Sequence, residues 1–397
     1  MSDIRGGHDP RQEYRVEKIT SKEIKTIEYP ERMTAELIDQ WAEGIPLYSE
    51  ADPKNPEWRS TPVRTIDLSS QGYGEVHIKM ESDKRSNPTG TMKDRPAWEF
   101  ACGYRDFARR LSLKMTRDKR ISPSDVKIPR FSLITAGNEG LAIARACQKY
   151  NLPPPKILMD HHTSQEALSF LTNEYAEIYT GDLSIKALTH QEINTLTKNK
   201  NGVDLTSLIL NDRNAVFYDW HVHEAFNEKP AIIFMPYGSG RLMDGYSYWQ
   251  HRTGQNAVRG TRDPRLRIDP LRVADMSIVG VEPAKMDRTI ADKAAAPFKP
   301  FLLLNDNDRA YLREQHLSGR FTGTKLALEE EIEEAFEYFL NHDIEAEPTG
   351  AIGLAMYLRF FRDKLIDHRE KILVINTGRG ELYEATHVKE KRVYEHK

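Results

Sequence analysis

Several apolar runs in this chain show no polar alternation. "AIIFMPY" (231–237), "MSIVGVE" (276–282) and "KILVINT" (371–377) are apolar on successive positions. A half-buried strand alternates, so a run without alternation must hide both faces, and the sheet it joins is covered on both sides. "EVHIKME", "FSLITA", "KILMD", "EIYT" and "AVFYDW" are further strand candidates. Between "FSLITA" and "KILMD", Leu141, Ala144, Cys147 and Tyr150 recur near helical spacing, and Pro153 to Pro155 stop the helix. Repeated strand-helix-strand units predict an α/β fold of mostly parallel sheets flanked by helices.

Bulk properties narrow the function classes. A chain of 397 residues exceeds what one core usually holds, so two domains or two lobes are expected. With 39% hydrophobic and 29% charged residues it reads as soluble and globular. A net charge of −3 argues against a nucleic-acid surface. No run approaches the roughly 20 apolar residues of a membrane span, and the first 20 residues lack the apolar core of a secretory signal. Cys102 and Cys147 form neither a disulfide framework nor a paired metal motif, which fits a reducing cytoplasmic setting. Residues 251–272, polar and Arg-rich, read as a surface insertion. Residues 325–342 read as a helix with an acidic outer face.

Three Gly-bearing turns follow strand candidates: "TAGNEG" (135–140), "YGSGRLMDG" (237–245) and "NTGRGELY" (376–383). In open parallel sheets, ligands bind at the carboxyl ends of strands. Glycines in "GSGRLMDG" let backbone N–H groups surround an anion, aided by the N-terminus of a following helix. No G-K-[ST] follows, and no early G-x-G-x-x-G is present, so neither a Walker loop nor a nicotinamide site is expected. A fourth stretch, "SNPTGTMKDRPAW" (86–98), places Lys93 just past a Pro-Thr-Gly turn, with Thr91 as a candidate cap for the next helix. A first-turn lysine opposes the helix dipole. An imine with an aldehyde cofactor removes that objection.

"NPTGTMKDR" resembles the cofactor-lysine motif of the fold type II pyridoxal-phosphate enzymes, which include threonine synthase, cysteine synthase and the tryptophan synthase β chain. Other elements follow in that family's order: "STPVRTIDL", "VHIKMES", "TAGNEGLAIA", "YGSGRL", "VGVEP", "EPTGAIGLA" and "VINTGRG", covering roughly residues 60–385. The resemblance implies two open, twisted, mostly parallel α/β domains with pyridoxal 5'-phosphate between them, and a homodimer acting on a small amino-acid substrate. Residues 1–60 read as a partly flexible N-terminal extension, and the resemblance implies a larger domain (61–92 and 216–392) and a smaller one (93–215). Lys93 would hold the cofactor covalently and act as the acid/base at Cα. Asn138 would meet the ring hydroxyl oxygen, and Gly238, Ser239, Gly240, Arg241 and Leu242 would surround the phosphate. Thr377 would meet the pyridine nitrogen. Thr135, Ala136, Gly137 and Glu139 would face the substrate. A neutral hydroxyl at the ring nitrogen does not enforce its protonation, which disfavours transamination and suits loss of a β or γ leaving group.

Two departures stand out. Ala136 and Glu139 flank Gly137-Asn138 where the family binds a substrate carboxylate. Backbone amides alone bind that group, or Glu139 reads a cation, or Glu139 faces solvent. Arg241 stands where a further glycine is common and either meets the phosphate or turns outward. The expected activity is elimination or replacement at Cβ or Cγ. The alternatives are a threonine synthase acting on O-phosphohomoserine and a ligand-binding protein without turnover. His221 and His223 would share one strand face, but no third ligand is evident, and no metal is expected.

Overall fold

The computed structural model describes residues 27–46, 60–161, 163–183, 188–206, 218–258, 273, 275–285, 288–294 and 320–387, with backbone alone for 251–258. Its strands are β1 (Val63–Asp67), β2 (Glu75–Met80), β3 (Phe131–Ile134), β4 (Lys156–Asp160), β5 (Glu177–Gly181), β6 (Val203–Asp204), β7 (Ile232–Pro236), β8 (Ser277–Pro283), β9 (Gly323–Ala327) and β10 (Ile372–Asn376). They form a six-stranded sheet in the order β1-β2-β10-β7-β8-β9 and a four-stranded sheet in the order β5-β4-β3-β6. Only β1 with β2 is antiparallel; every other described pair is parallel. The helices are α1 (Ala35–Gly44), α2 (Asp94–Arg117), α3 (Asn138–Lys149), α4 (Gln165–Thr172), α5 (His190–Leu196), α6 (Asp219–Asn227), α7 (Arg241–Val258), α8 (Glu329–Asn341), α9 (Pro348–Arg362) and α10 (Glu381–Thr386).

The missing alternation in the central strands has its cause here. Ile232, Phe234, Ile372 and Val374 point to one side of the large sheet and pack with Ile352 and Ala355 of α9. Ile233, Met235, Leu373 and Ile375 point to the other, into a cluster holding Phe100 of α2, Leu141 of α3 and Val222 of α6. That cluster continues to Leu133 and Ile157 of the small sheet, so one core joins both sheets. Each such side chain stabilises the fold by roughly 1.5–3 kcal/mol.

Some expectations need correction. "AVFYDW" is not a strand where it is described: Asp219 and Trp220 open α6, and 215–217 lie outside the described residues. Tyr218, Val222, Ala225 and Phe226 are buried at helical spacing, which decides for helix. His221 and His223 are therefore helical, and at 3.6 residues per turn they point to nearly opposite sides. The acidic helix begins at Glu329 rather than Lys325, because Gly323–Ala327 pairs with β8 as the outer strand. Residues 251–258 continue α7, and the rest of the Arg-rich stretch (259–272) lies outside the described residues. Within the N-terminal 60 residues, Ala35–Gly44 is a helix capped by Thr34, whose side chain accepts from the Leu37 N–H. Residues 1–26 and 47–59 lie outside the described set.

Candidate active site

The carboxyl ends of β3, β7 and β10 lead into the three Gly-bearing turns, and all three line one cavity of about 130 Å³. The lysine turn reaches the same place because it is stitched to the turn after β10. The Met92 N–H donates to the Thr377 carbonyl (3.0 Å), Arg379 N–H to Gly90 (2.9 Å), and Glu381 N–H to Thr89 (3.2 Å). Gly378 allows this approach: its φ is +115°, and a Cβ there would stand 2.3 Å from the Gly90 oxygen. Asp94 fastens the turn to α2, accepting from the Thr89 N–H (2.9 Å) and hydroxyl (2.8 Å). Thr91 does not cap α2: Lys93 takes the cap position, and the Thr91 hydroxyl accepts weakly from the Lys93 N–H (3.3 Å).

Of the residues named from the sequence, Lys93, Thr135, Ala136, Gly137, Asn138, Glu139, Gly238, Ser239, Gly240, Leu242 and Thr377 line the cavity. Arg241 does not. It is buried and ion-paired with Asp244 one turn along α7, so its guanidinium is held by its own helix. Gly240 has φ +81°, and a Cβ there would meet the Tyr237 hydroxyl at 2.9 Å. The "GSG" backbone is thus left bare at the N-terminal end of an 18-residue helix, a setting made for an anion. The Thr135 hydroxyl accepts from the Gly137 N–H (3.0 Å) and shapes the asparagine loop.

Asn138 Oδ1 and Thr377 Oγ1 are buried on the cavity wall with no hydrogen-bond partner among the described residues. Buried polar atoms rarely stay unpaired. A phosphorylated pyridine aldehyde answers each feature: a carbonyl carbon for Lys93, ring polar atoms for Asn138 and Thr377, and phosphate oxygens for the Gly-rich loop. The residues present fit that group.

Lys93 Nζ lies 3.4 Å from the Tyr218 hydroxyl and 3.6 Å from Glu139 Oε2. Burial disfavours its charge, but Glu139 and Tyr218 outweigh burial and hold the ammonium well above the ordinary lysine range. Burial raises Tyr218 above a normal phenol, with Lys93 opposing. Glu139 does not face solvent: its carboxylate is turned to Lys93, and Oε1 is buried without a partner among the described residues. Across the cavity Asn138 Nδ2 donates to both oxygens of Glu347 (3.4 Å each). Burial lifts Glu347 to about 7, with Lys293 as the main opposing charge.

Behind Lys93 lies a buried charge cluster that sequence reasoning missed. Arg95 donates to both oxygens of Glu81 (3.1 Å each) and both of Glu224 (2.9 and 3.1 Å). Lys79 donates to Glu224 (2.6 Å) and to the Thr61 carbonyl (2.8 Å). His221 Nδ1 lies 2.9 Å from Glu81. Burial pushes Glu81 up, but Arg95, His221 and Lys79 together hold it well below the carboxylate range. Burial lowers His221 despite Glu81 beside it, and Lys79 and Arg95 face the Glu81 and Glu224 carboxylates. The available signal was Lys79 and Glu81 at period two, at and just past the end of a strand that alternates polar and apolar residues.

Tyr218, Lys293, Glu347 and Thr349 also line the cavity without having been singled out. Glu347 and Thr349 stood in the quoted "EPTGAIGLA" and Tyr218 in the strand candidate "AVFYDW"; Lys293 belongs to no quoted stretch. Elsewhere Asp160, His161 and Asp182 bring ligand atoms within 4.8 Å of one another. Asp160 there accepts the Leu183 N–H (2.8 Å), a loop-closing role.

Fold and cavity together place a lysine, a Gly-rich loop and two unpaired polar atoms at the ends of parallel strands, a set that suits a phosphorylated aldehyde. The family model described as "Pyridoxal-phosphate dependent enzyme" matches residues 55–378. The chain belongs to this family, and pyridoxal 5'-phosphate is its cofactor. No curated protein matches by sequence. Among solved structures, the processed form of threonine deaminase isoform 2 from Solanum lycopersicum is similar, with TM-score 0.52 and 17% identity, over 95% of this chain and 98% of that one. Diaminopropionate ammonia lyase from Escherichia coli has TM-score 0.54 and 16% identity, over 93% and 95%. Serine racemase from maize has TM-score 0.54 and 17% identity, over 90% and 98%. Likeness at this identity shows the shared fold.

Proposed function

We propose that this chain catalyses elimination or replacement at Cβ or Cγ of an amino acid, with Lys93 as the Schiff-base lysine and the acid/base at Cα. The observation that carries this reading is the convergence of Lys93 Nζ, the "GSG" loop, Asn138 and Thr377 on one cavity. When bound, pyridoxal 5'-phosphate supplies an electron sink for charge developing at Cα. The backbone of Gly238, Ser239 and Gly240, with Leu242, holds the phosphate. Asn138 orients the ring through its hydroxyl oxygen. Thr377 offers the ring nitrogen a neutral hydroxyl, which keeps the sink mild. Lys93, once its nitrogen is free beside Cα, removes or returns the proton there. The asparagine loop, Thr135 to Glu139, receives the substrate.

Two of the similar structures are named as a deaminase and an ammonia lyase, which supports elimination. A threonine synthase reaction on O-phosphohomoserine is less well supported. A substrate that carries a phosphate besides the carboxylate common to all amino acids would bring extra negative charge beside the buried Glu139 carboxylate, where like charges repel. The reading includes a homodimer in the cytoplasm; among the described residues no helix is long and apolar enough to cross a membrane. The two sheets support a division into residues 61–92 with 216–392 and residues 93–215.

The test is spectroscopic. Purified protein should absorb near ~410 nm from lysine-bound cofactor, and Lys93→Ala should abolish the band. Release of ammonia or a 2-oxo acid from one member of an amino-acid panel supports a lyase. Spectral shifts with no product from any amino acid would favour a binding protein. A colourless protein that takes up no added cofactor would refute the reading.

A further inference from the structure

We infer that Glu139 is a positioning residue acting through Lys93: it holds the ammonium as counter-ion and carries its protons while Lys93 bonds to an aldehyde. The inference rests on Lys93 being the Schiff-base lysine. Three observations support it. Glu139 Oε2 is 3.6 Å from Lys93 Nζ, close enough for exchange after a small rotation. Oε1 is buried with no partner among the described residues, so one oxygen is free to take a proton. Glu139 follows Asn138 in the first turn of α3, so its backbone is fixed beside the loop that lines the cavity.

The other titratable groups facing this cavity do not replace it. Tyr218 is 3.4 Å from Nζ, but burial raises its pKa, which makes it a poor acceptor near neutrality. Glu347 is tied to Asn138, and Lys293 carries the wrong charge. The step balances as follows. The Lys93 ammonium gives one proton to the Glu139 carboxylate, and the nitrogen lone pair forms a C–N bond to the aldehyde carbon. The carbonyl oxygen takes a second proton from the nitrogen and then the proton held by Glu139. It leaves as water as the C–O bond breaks. A protonated imine remains at Lys93, with Glu139 again anionic beside it. A carboxylate at this place thus serves the lysine, whereas a family hydroxyl would serve a substrate carboxylate.

The full chain, stripped of aldehyde with hydroxylamine, is mixed with pyridoxal phosphate across a pH series. Capture is followed by absorbance, and borohydride trapping with peptide mass mapping locates the bond. Binding of pyridoxamine phosphate, which forms no imine, reports the intact pocket. Glu139→Gln should lower the pH midpoint of capture by about one unit or more, a tenfold change in neutral amine. It should also reduce the plateau rate, while pyridoxamine phosphate still binds saturably. Glu139→Asp should restore most of the midpoint. A Gln profile superimposing on the wild type would overturn the inference while leaving the enzyme reading intact. So would a Gln variant that binds pyridoxamine phosphate as weakly as an unfolded control. If wild-type protein is never trapped at Lys93, both fall together.

Discussion

Replacing Arg95 by Met isolates what the buried cluster contributes. Arg95 lies two residues past Lys93 in the first turn of α2, and its guanidinium holds Glu81 and Glu224 each through two hydrogen bonds. The cluster is now balanced: Lys79 and Arg95 against Glu81 and Glu224. Met fills a similar volume but leaves two buried carboxylates facing one ammonium. Lys79 cannot serve both, being 2.6 Å from Glu224 and 3.9 Å from Glu81. Removing one partner of a buried ion pair costs about 3–5 kcal/mol, mostly from the stranded charge. Urea unfolding should therefore show a lower midpoint with an unchanged slope. A second change, Glu224→Gln, takes away the surplus charge, so the double variant should recover about half of the loss. A single variant within about 1 kcal/mol of the wild type, or a double variant weaker than the single, would refute this account of the cluster.

Two further outcomes follow from the geometry. Gly378→Ala forces a Cβ to 2.3 Å from the Gly90 oxygen at φ +115°; it should cost more than about 1 kcal/mol and abolish the ~410 nm band, checked by thermal melting and cofactor titration. Glu347 is raised from 4.5 to about 7 in the folded chain, so its contribution to stability is complete below pH 4.5 and lost as pH rises through about 7. The shift corresponds to about 3 kcal/mol. Glu347→Gln should flatten the stability profile between pH 4.5 and 8 by that amount in urea unfolding, and an unchanged slope would contradict the assignment.

The sequence made the parallel sheets readable because burial on both faces removes alternation, as in Ile232 to Pro236 and Ile372 to Asn376. The Gly-bearing turns were readable because they follow those strands. "AVFYDW" misled because so short a largely apolar stretch does not separate strand from helix; the continuation to Val222 and Phe226 held the answer. β9, with three exposed residues of its five, carries little apolar signal. The Arg95 cluster joins residues up to 163 positions apart, and no local pattern announces such a pairing. Glu139 was identified as a departure, but its direction follows from tertiary placement: α3 turns that position toward Lys93.

The most direct test of the account is borohydride reduction of the protein loaded with pyridoxal phosphate, followed by peptide mass mapping. One stable phosphopyridoxyl group is expected on the peptide containing Lys93, and none in Lys93→Ala. Modification spread over surface lysines, or a label unaffected by Lys93→Ala, would contradict it.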